Sequence, residues 1–83
     1  MSTQDLTPLR ALSKSREVFE RLRDAIWSGD LAPGTALREA HLAKQLNVSQ
    51  VPVREALLQL EHLGLVVRDH VARLVSTTIN VGQ

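Results

Sequence analysis

The sequence contains no cysteine, no tyrosine, a single tryptophan and a single phenylalanine, and it carries almost no net charge. Each scarcity excludes something. Without cysteine there is no disulfide framework, no thiolate zinc site and no thiol nucleophile, a composition compatible with a reducing compartment. With aromatics at 2% of the chain, a base-stacking platform for RNA or single strands has almost nothing to be built from. No apolar run approaches the roughly 20 residues a membrane helix needs. Met1-Ser2-Thr3-Gln4-Asp5 lacks the basic and apolar regions of a signal peptide. The chain therefore reads as soluble and cytoplasmic, with no membrane partner. Ten Lys/Arg against nine Asp/Glu leave +1, far from the strongly basic profile of an electrostatic nucleic-acid binder. Over residues 47–83, Arg54, Arg68 and Arg73 are cancelled by Glu55, Glu61 and Asp69. Any binding to DNA must come from a few well-placed groups and from dimerisation, with a modest dependence on salt.

What is present suits one small domain. The 83 residues are 43% hydrophobic and 23% charged, ordinary globular composition. A chain this short buries about 60% of its unfolded surface, which leaves a small core and no room for a walled active-site cavity. Residues 1–14 read as a flexible arm. Val18, Phe19, Leu22, Ala25 and Ile26 form the one-sided stripe of an amphipathic helix over about 15–28, capped by Ser13 or Ser15 and ended by Gly29. Pro33 and Gly34 mark a turn. A second helix is expected over about 38–46, with Leu42, Ala43 and Leu46 inward, and Asn47 where it should stop. Ser49 has the chemistry to cap a third, over about 50–63, whose Val53, Ala56, Leu57, Leu60 and Leu63 lie on one face. Pro52 falls in its first turn, where a missing amide costs nothing. Gly64 ends it. Leu65–Val67 and Leu74–Ile79 read as two strands of a hairpin around the loop Arg68–Arg73.

Two helices joined by the short turn at 47–49 make a helix-turn-helix, and a hairpin directly after it makes a wing. The fold expected is mainly α with a small β-hairpin, a winged helix-turn-helix over residues 15–79. The third helix should expose Gln50, Val51 and Arg54 with Ser49 at its start, groups suited to base edges and phosphates, and its N-terminus is itself a phosphate site. The hairpin tip offers Arg68, His70 and Arg73 to the backbone or the minor groove.

At these residues the chain resembles a known family. Gly29-Asp30-Leu31-Ala32-Pro33-Gly34-Thr35-Ala36-Leu37 is similar to the G-x-L-x-P-G-x-x-L segment of GntR-type bacterial transcription regulators. Leu42-Ala43 follows at the family's distance. Val48-Ser49-Gln50-Val51-Pro52-Val53-Arg54-Glu55-Ala56-Leu57 then matches V-S-R-x-P-V-R-E-A-L, with Leu60, Gly64, Leu65 and Val66 after it. The similarity runs over about residues 15–76. It implies the sequence-specific, double-stranded-DNA-binding domain of a ligand-responsive regulator, usually a repressor, acting on a short inverted repeat as a homodimer. The Arg38-Glu39 version resembles the FadR branch. Its members add an all-α C-terminal domain that dimerises and senses a small organic acid, often with a metal; residues 80–83 then read as the start of a linker to it. No cofactor is expected within these residues.

The resemblance also implies roles. Arg54 matches a DNA-contacting arginine and Ser49 a capping, phosphate-contacting hydroxyl. Gln50 stands where most relatives carry an arginine that reads guanine, and glutamine pairs with adenine instead. Ala40 stands where some relatives carry a contacting arginine, a role that neighbouring Arg38 can take over. The wing lacks the family's tip glycine and has His70-Val71-Ala72-Arg73, so a longer, differently bent or less ordered wing is expected. The DNA-binding set is thus Arg38, Ser49, Gln50, Val51, Pro52, Arg54, His70 and Arg73.

Plainer readings stand beside these. Val51 and Pro52 could simply shape the helix start, and Arg38 and Lys44 could be solubilising. Glu55 reads as the ion-pair partner that orients Arg54, and Trp27 and Phe19 as core. His41, His62 and His70 have no ligand spacing, which argues against a metal. No nucleophile–base–orienter set, phosphate loop or carboxylate pair supports an enzyme. The competing function is a winged helix used as a protein-interaction or dimerisation module. It is disfavoured because the third helix exposes Gln50, Arg54 and Gln59 rather than apolar anchors.

Overall fold

A computed structural model of the chain describes residues 9–77. Residues 1–8 and 78–83 lie outside it, among them Ile79 of the expected returning strand and the expected linker at 80–83. The order is α1 (Leu9–Ser28), α2 (Glu39–Leu46), α3 (Gln50–His62), β1 (Val66–Arg68) and β2 (Leu74–Ser76). This is the winged helix-turn-helix that the periodicities suggest. No described helix is long and apolar enough to cross a membrane.

Helix α1 begins six residues ahead of the expected start. Ser13 and Ser15 therefore sit inside it rather than capping it. Leu9-Arg10-Ala11-Leu12 are strong helix formers, and their summed preference extends the helix past the serines. The stripe Val18, Leu22 and Ile26 is buried at a spacing of four. Gly29 ends the helix at φ +88°, and Leu31 N–H donates to the Ala25 carbonyl at 3.0 Å.

Helix α3 is the centre of the molecule. Val53, Ala56, Leu57 and Leu60 are each at most 1% exposed, and the helix packs against α1, α2 and β1. Two expectations about the core fail. Leu63 is 60% exposed, because it is the C-cap (φ −85°, ψ −3°) where the chain is already turning away. Trp27 is 59% exposed, because one residue after Ile26 it points about 100° away from the buried stripe. Phe19 packs against the core, half-buried, with the Arg23 guanidinium 5.6 Å from its ring centroid.

The hairpin pairs Val66 with Ser76, Val67 with Val75 and Arg68 with Leu74. A third segment joins it that the sequence did not announce as a strand. Ala36 bridges Val75 antiparallel, Gly34 N–H donates to the Ser76 carbonyl at 2.9 Å, and Leu37 N–H to that of Leu74 at 2.9 Å. Ser76 is buried to 3% exposure, so its hydroxyl must be partnered. It donates to the Ala32 carbonyl at 2.7 Å and accepts from Thr35 N–H at 3.2 Å. The turn before α2 is thereby tied to the sheet, and this sets where α2 starts.

Candidate nucleic-acid interface

The turn between α2 and α3 is two residues of local chemistry. Asn47 takes the left-handed conformation (φ 58°, ψ 48°), which its short polar side chain tolerates, and Val48 N–H closes back on the Ala43 carbonyl at 2.9 Å. Ser49 then occupies the N-cap of α3 with extended geometry, but its hydroxyl makes no capping hydrogen bond. The first-turn amides of α3 keep their unpaired donors and the positive end of the helix dipole, the arrangement that receives a phosphate.

From that start the helix divides by residue. Gln50, Val51, Arg54 and Glu55 are exposed, while Pro52 is buried with Val53. Pro52 thus packs inward and shapes the helix start, the plainer of its two readings, instead of joining the exposed set. Arg54 does not pair with Glu55, which as its sequence neighbour points elsewhere on the helix. Its partner is Glu39, the first residue of α2. Arg54 Nε donates to Oε1 and Oε2 at 3.2 Å each, and Nη2 donates to Oε1 at 3.0 Å. These hydrogen bonds, reinforced by the carboxylate's charge, raise the guanidinium above its already high pKa. Glu39 is the residue that sequence reasoning missed, since nothing in a local window couples positions on two helices. Arg38 precedes it in extended geometry and is exposed, as are His41 and Lys44 on α2. None of the three has an ion-pair partner among the described residues.

The wing holds His70 and Arg73 on a separate element. Its loop, residues 69–73, is organised by Asp69. Oδ1 accepts from the N–H groups of Val71 (3.0 Å) and Arg73 (2.9 Å), Oδ2 accepts from Arg73 Nε (2.9 Å), and Asp69 N–H donates to the Arg73 carbonyl at 2.8 Å. Ala72 supplies the positive φ (+63°) that a tip glycine would otherwise supply. So the wing without glycine is bent by a side-chain clamp. Asp followed by a turn is a recognisable signal, and it could have been read from the sequence. His70 is exposed; Arg73 is half-exposed but engaged by Asp69. Arg68, offered as a third tip cation, pairs with Glu61 of α3 at 3.2 Å and so anchors the wing to the helix.

The clamp has a pH signature. The Asp69 carboxyl lies below its ordinary value of 3.8, first because Arg73 N–H donates to it, with Val71 N–H and the Arg73 side chain assisting against partial burial. A depressed carboxyl stabilises above its unfolded pKa and loses that contribution as pH falls through the folded one. The turn is therefore expected to persist through neutral and mildly acidic pH and to loosen only below 3.8. The amide proton shifts of Val71 and Arg73 should titrate together with a midpoint below that value, and Asp69→Asn should abolish the titration. A midpoint at or above it would count against the clamp.

Among the described residues no three His, Asp or Glu side chains gather into a site that could hold a metal. The arrangement is a short turn presenting a helix start, exposed Gln50, Val51 and Arg54 on its first two turns, and a wing tip whose Arg73 is clamped by Asp69.

Comparison with known proteins agrees with the fold. The model for bacterial regulatory proteins of the gntR family matches residues 14–77. The HTH-type transcriptional regulator Mce2R of Mycobacterium tuberculosis is 44% identical over 62 residues, 74% of this chain and 26% of that protein. The HTH-type transcriptional repressor RspR of Escherichia coli is 38% identical over 52 residues, 63% of this chain and 23% of that protein. A GntR-family transcriptional regulator from Pseudomonas syringae, known from its crystal structure, superposes with a TM-score of 0.78 at 38% identity. That match covers 89% of this chain and 30% of the other. The chain spans about a quarter of the length of the curated relatives it matches.

Proposed function

The chain belongs to the gntR family of bacterial regulatory proteins, and from that premise we propose that this winged-helix DNA-binding domain reads the operator half-site of a ligand-responsive repressor. Helix α3 enters the major groove. The observation that carries this reading is the start of α3: a helix buried on one face whose first two turns offer Gln50, Val51 and Arg54 beside uncapped amides. Gln50 reads adenine through N6 and N7, and Val51 meets a thymine methyl. Ser49 and Arg38 contact phosphates, and His70 and Arg73 approach the backbone or the minor groove from the wing.

Repression is favoured by the family's usual mode and by the repressor role of its relative RspR. The charge supports dimeric action, because at +1 a monomer attracts phosphate weakly and two half-sites must share the binding. We assign the full regulator to the FadR branch, in the cytoplasm. There it forms a homodimer on a short inverted repeat, under an effector domain that senses a small organic acid, with a metal in some members. The resemblance at Arg38-Glu39 and the short match relative to the curated relatives support this.

Selection of binders from a random duplex library tests the reading, with the 83-residue chain and an artificially dimerised form. A short inverted repeat is expected. Gln50→Arg should change one base preference per half-site from adenine to guanine while leaving the other positions unchanged. Absence of enrichment with the dimerised form would sink the DNA reading in favour of an interaction module.

A further inference from the structure

Arg54 carries five N–H donors in a fixed planar fork, and Glu39 uses only one side of it. Nε–H and one Nη2–H go to the carboxylate. The two N–H groups of Nη1 and the second of Nη2 have no acceptor among the described residues, and the Arg54 side chain is 56% exposed. The engaged side is the lateral fork. What remains free is the terminal fork, two roughly parallel N–H donors at the end of the side chain. That pair fits the O6 and N7 acceptors of guanine and is repelled by the N6 amino donor of adenine.

The carboxylate is itself well held. Glu39 is the first residue of α2, where the helix dipole favours an anion, and its side chain is 31% exposed against the 56% of Arg54. The better-covered, helix-anchored partner fixes the longer and freer one across the two helices of the motif. An exposed ion pair contributes little to stability. A carboxylate on the DNA-facing side of a domain with a net charge of only +1 also repels phosphate. Its stabilising role is small and its electrostatic effect on binding is unfavourable, so orientation of Arg54 is the contribution that remains.

We propose that Glu39 is a positioning residue for operator recognition: it holds Arg54 by the lateral fork so that the terminal fork reads a guanine in the major groove. This rests on the DNA reading above and deepens it. Glu39 touches no base; it converts a flexible cation into a directional reader. The trade is explicit, in that Glu39 lowers affinity for DNA of any sequence and raises discrimination at one position.

The test uses the 83-residue chain, dimerised if selection requires it, on the selected operator, and fluorescence anisotropy as the readout. The guanine in question is the base whose preference disappears in Arg54→Ala. It is replaced by 7-deazaguanine, which lacks only the N7 acceptor, and a random-sequence duplex of equal length is measured in parallel. The wild-type chain should lose about tenfold on the 7-deaza operator. Glu39→Ala should bind the random duplex more tightly than wild type, bind the operator less tightly, and be nearly indifferent to 7-deazaguanine. Glu39→Gln keeps one acceptor without the charge. It should match Glu39→Ala on the random duplex but retain part of the 7-deaza penalty, which separates orientation from charge.

Full wild-type sensitivity in Glu39→Ala would overturn the proposal, and so would equal weakening on operator and random duplex, the pattern of a merely structural residue. An Arg54→Ala variant that loses preference at no guanine would overturn it as well. A wild-type chain with no operator preference overturns the DNA reading itself, and the two failures are thereby distinguishable.

Discussion

Leu57→Ala should remove a large fraction of the domain's stability, about 2–5 kcal/mol, and move its urea midpoint far below that of the wild type. Leu57 is 1% exposed in the middle of α3, flanked by Val53, Ala56 and Leu60, none of them exposed. Removing three buried carbons loses their transfer free energy and leaves a cavity that these close-packed neighbours can only partly fill. The usual cost is about 2–5 kcal/mol. A domain of this size has a total stability of roughly 4–12 kcal/mol, so the loss is a large fraction of the whole. Urea unfolding followed by far-ultraviolet circular dichroism measures it. Trp27 is a poor fluorescent reporter of the core because it is already largely in water. A loss under about 1 kcal/mol would mean that α3 is not the packed centre of the fold.

Arg54→Ala is expected to do the reverse, keeping the fold and losing the operator. Its side chain is more than half exposed, and its ion pair with Glu39 lies at the surface. The urea midpoint should therefore stay near wild type. Affinity for the selected operator should fall roughly ten- to a hundredfold, because a bidentate base contact is lost and Glu39 is left unpaired facing the phosphates. Binding to random duplex should fall much less. Titration of both duplexes at several salt concentrations makes the distinction: a specific loss lowers one curve, a general electrostatic loss lowers both and flattens the salt slope. Operator binding unchanged by Arg54→Ala would remove Arg54 from the interface. A variant that is also unfolded would show that its exposed assignment is wrong.

Together the two substitutions separate scaffold from reader on one helix. Their residues are three positions apart, yet one lies in the core and the other ends in solvent. Leu57→Ala should lower the urea midpoint, and any binding it loses should fall on operator and random duplex together, whereas Arg54→Ala should lose chiefly the operator.

Much of this was legible because it is local. Val18, Leu22 and Ile26 recur at one spacing, and Val53, Ala56, Leu57 and Leu60 at another, and a helix turns any such spacing into a face. Gly29, Gly34, Asn47 and Gly64 sit where the chain needs positive φ, a demand met within one residue. The order of elements, the turn between α2 and α3, and the exposed Gln50, Val51 and Arg54 follow from those signals. The start of α1 did not, because two serines with capping chemistry competed against a run of helix formers and lost.

Tertiary structure decided what depends on residues far apart in sequence. Glu39 meets Arg54 only because α2 and α3 cross at the turn, and no periodicity within one helix announces a partner on another. Ser76 N–H donates to the Thr35 carbonyl and Ala36 bridges Val75, some 40 residues later in the chain, by backbone hydrogen bonds that any sequence can make. Trp27 and Leu63 are apolar residues left in water, since hydrophobicity favours burial but only the packed neighbours determine which face is covered. The sequence by itself determined the helices, the turns and the exposed side chains of the reading helix, through interactions that reach no further than one helical turn. Which carboxylate orients Arg54 was decided only when the chain folded, by contacts across α2, α3 and the sheet.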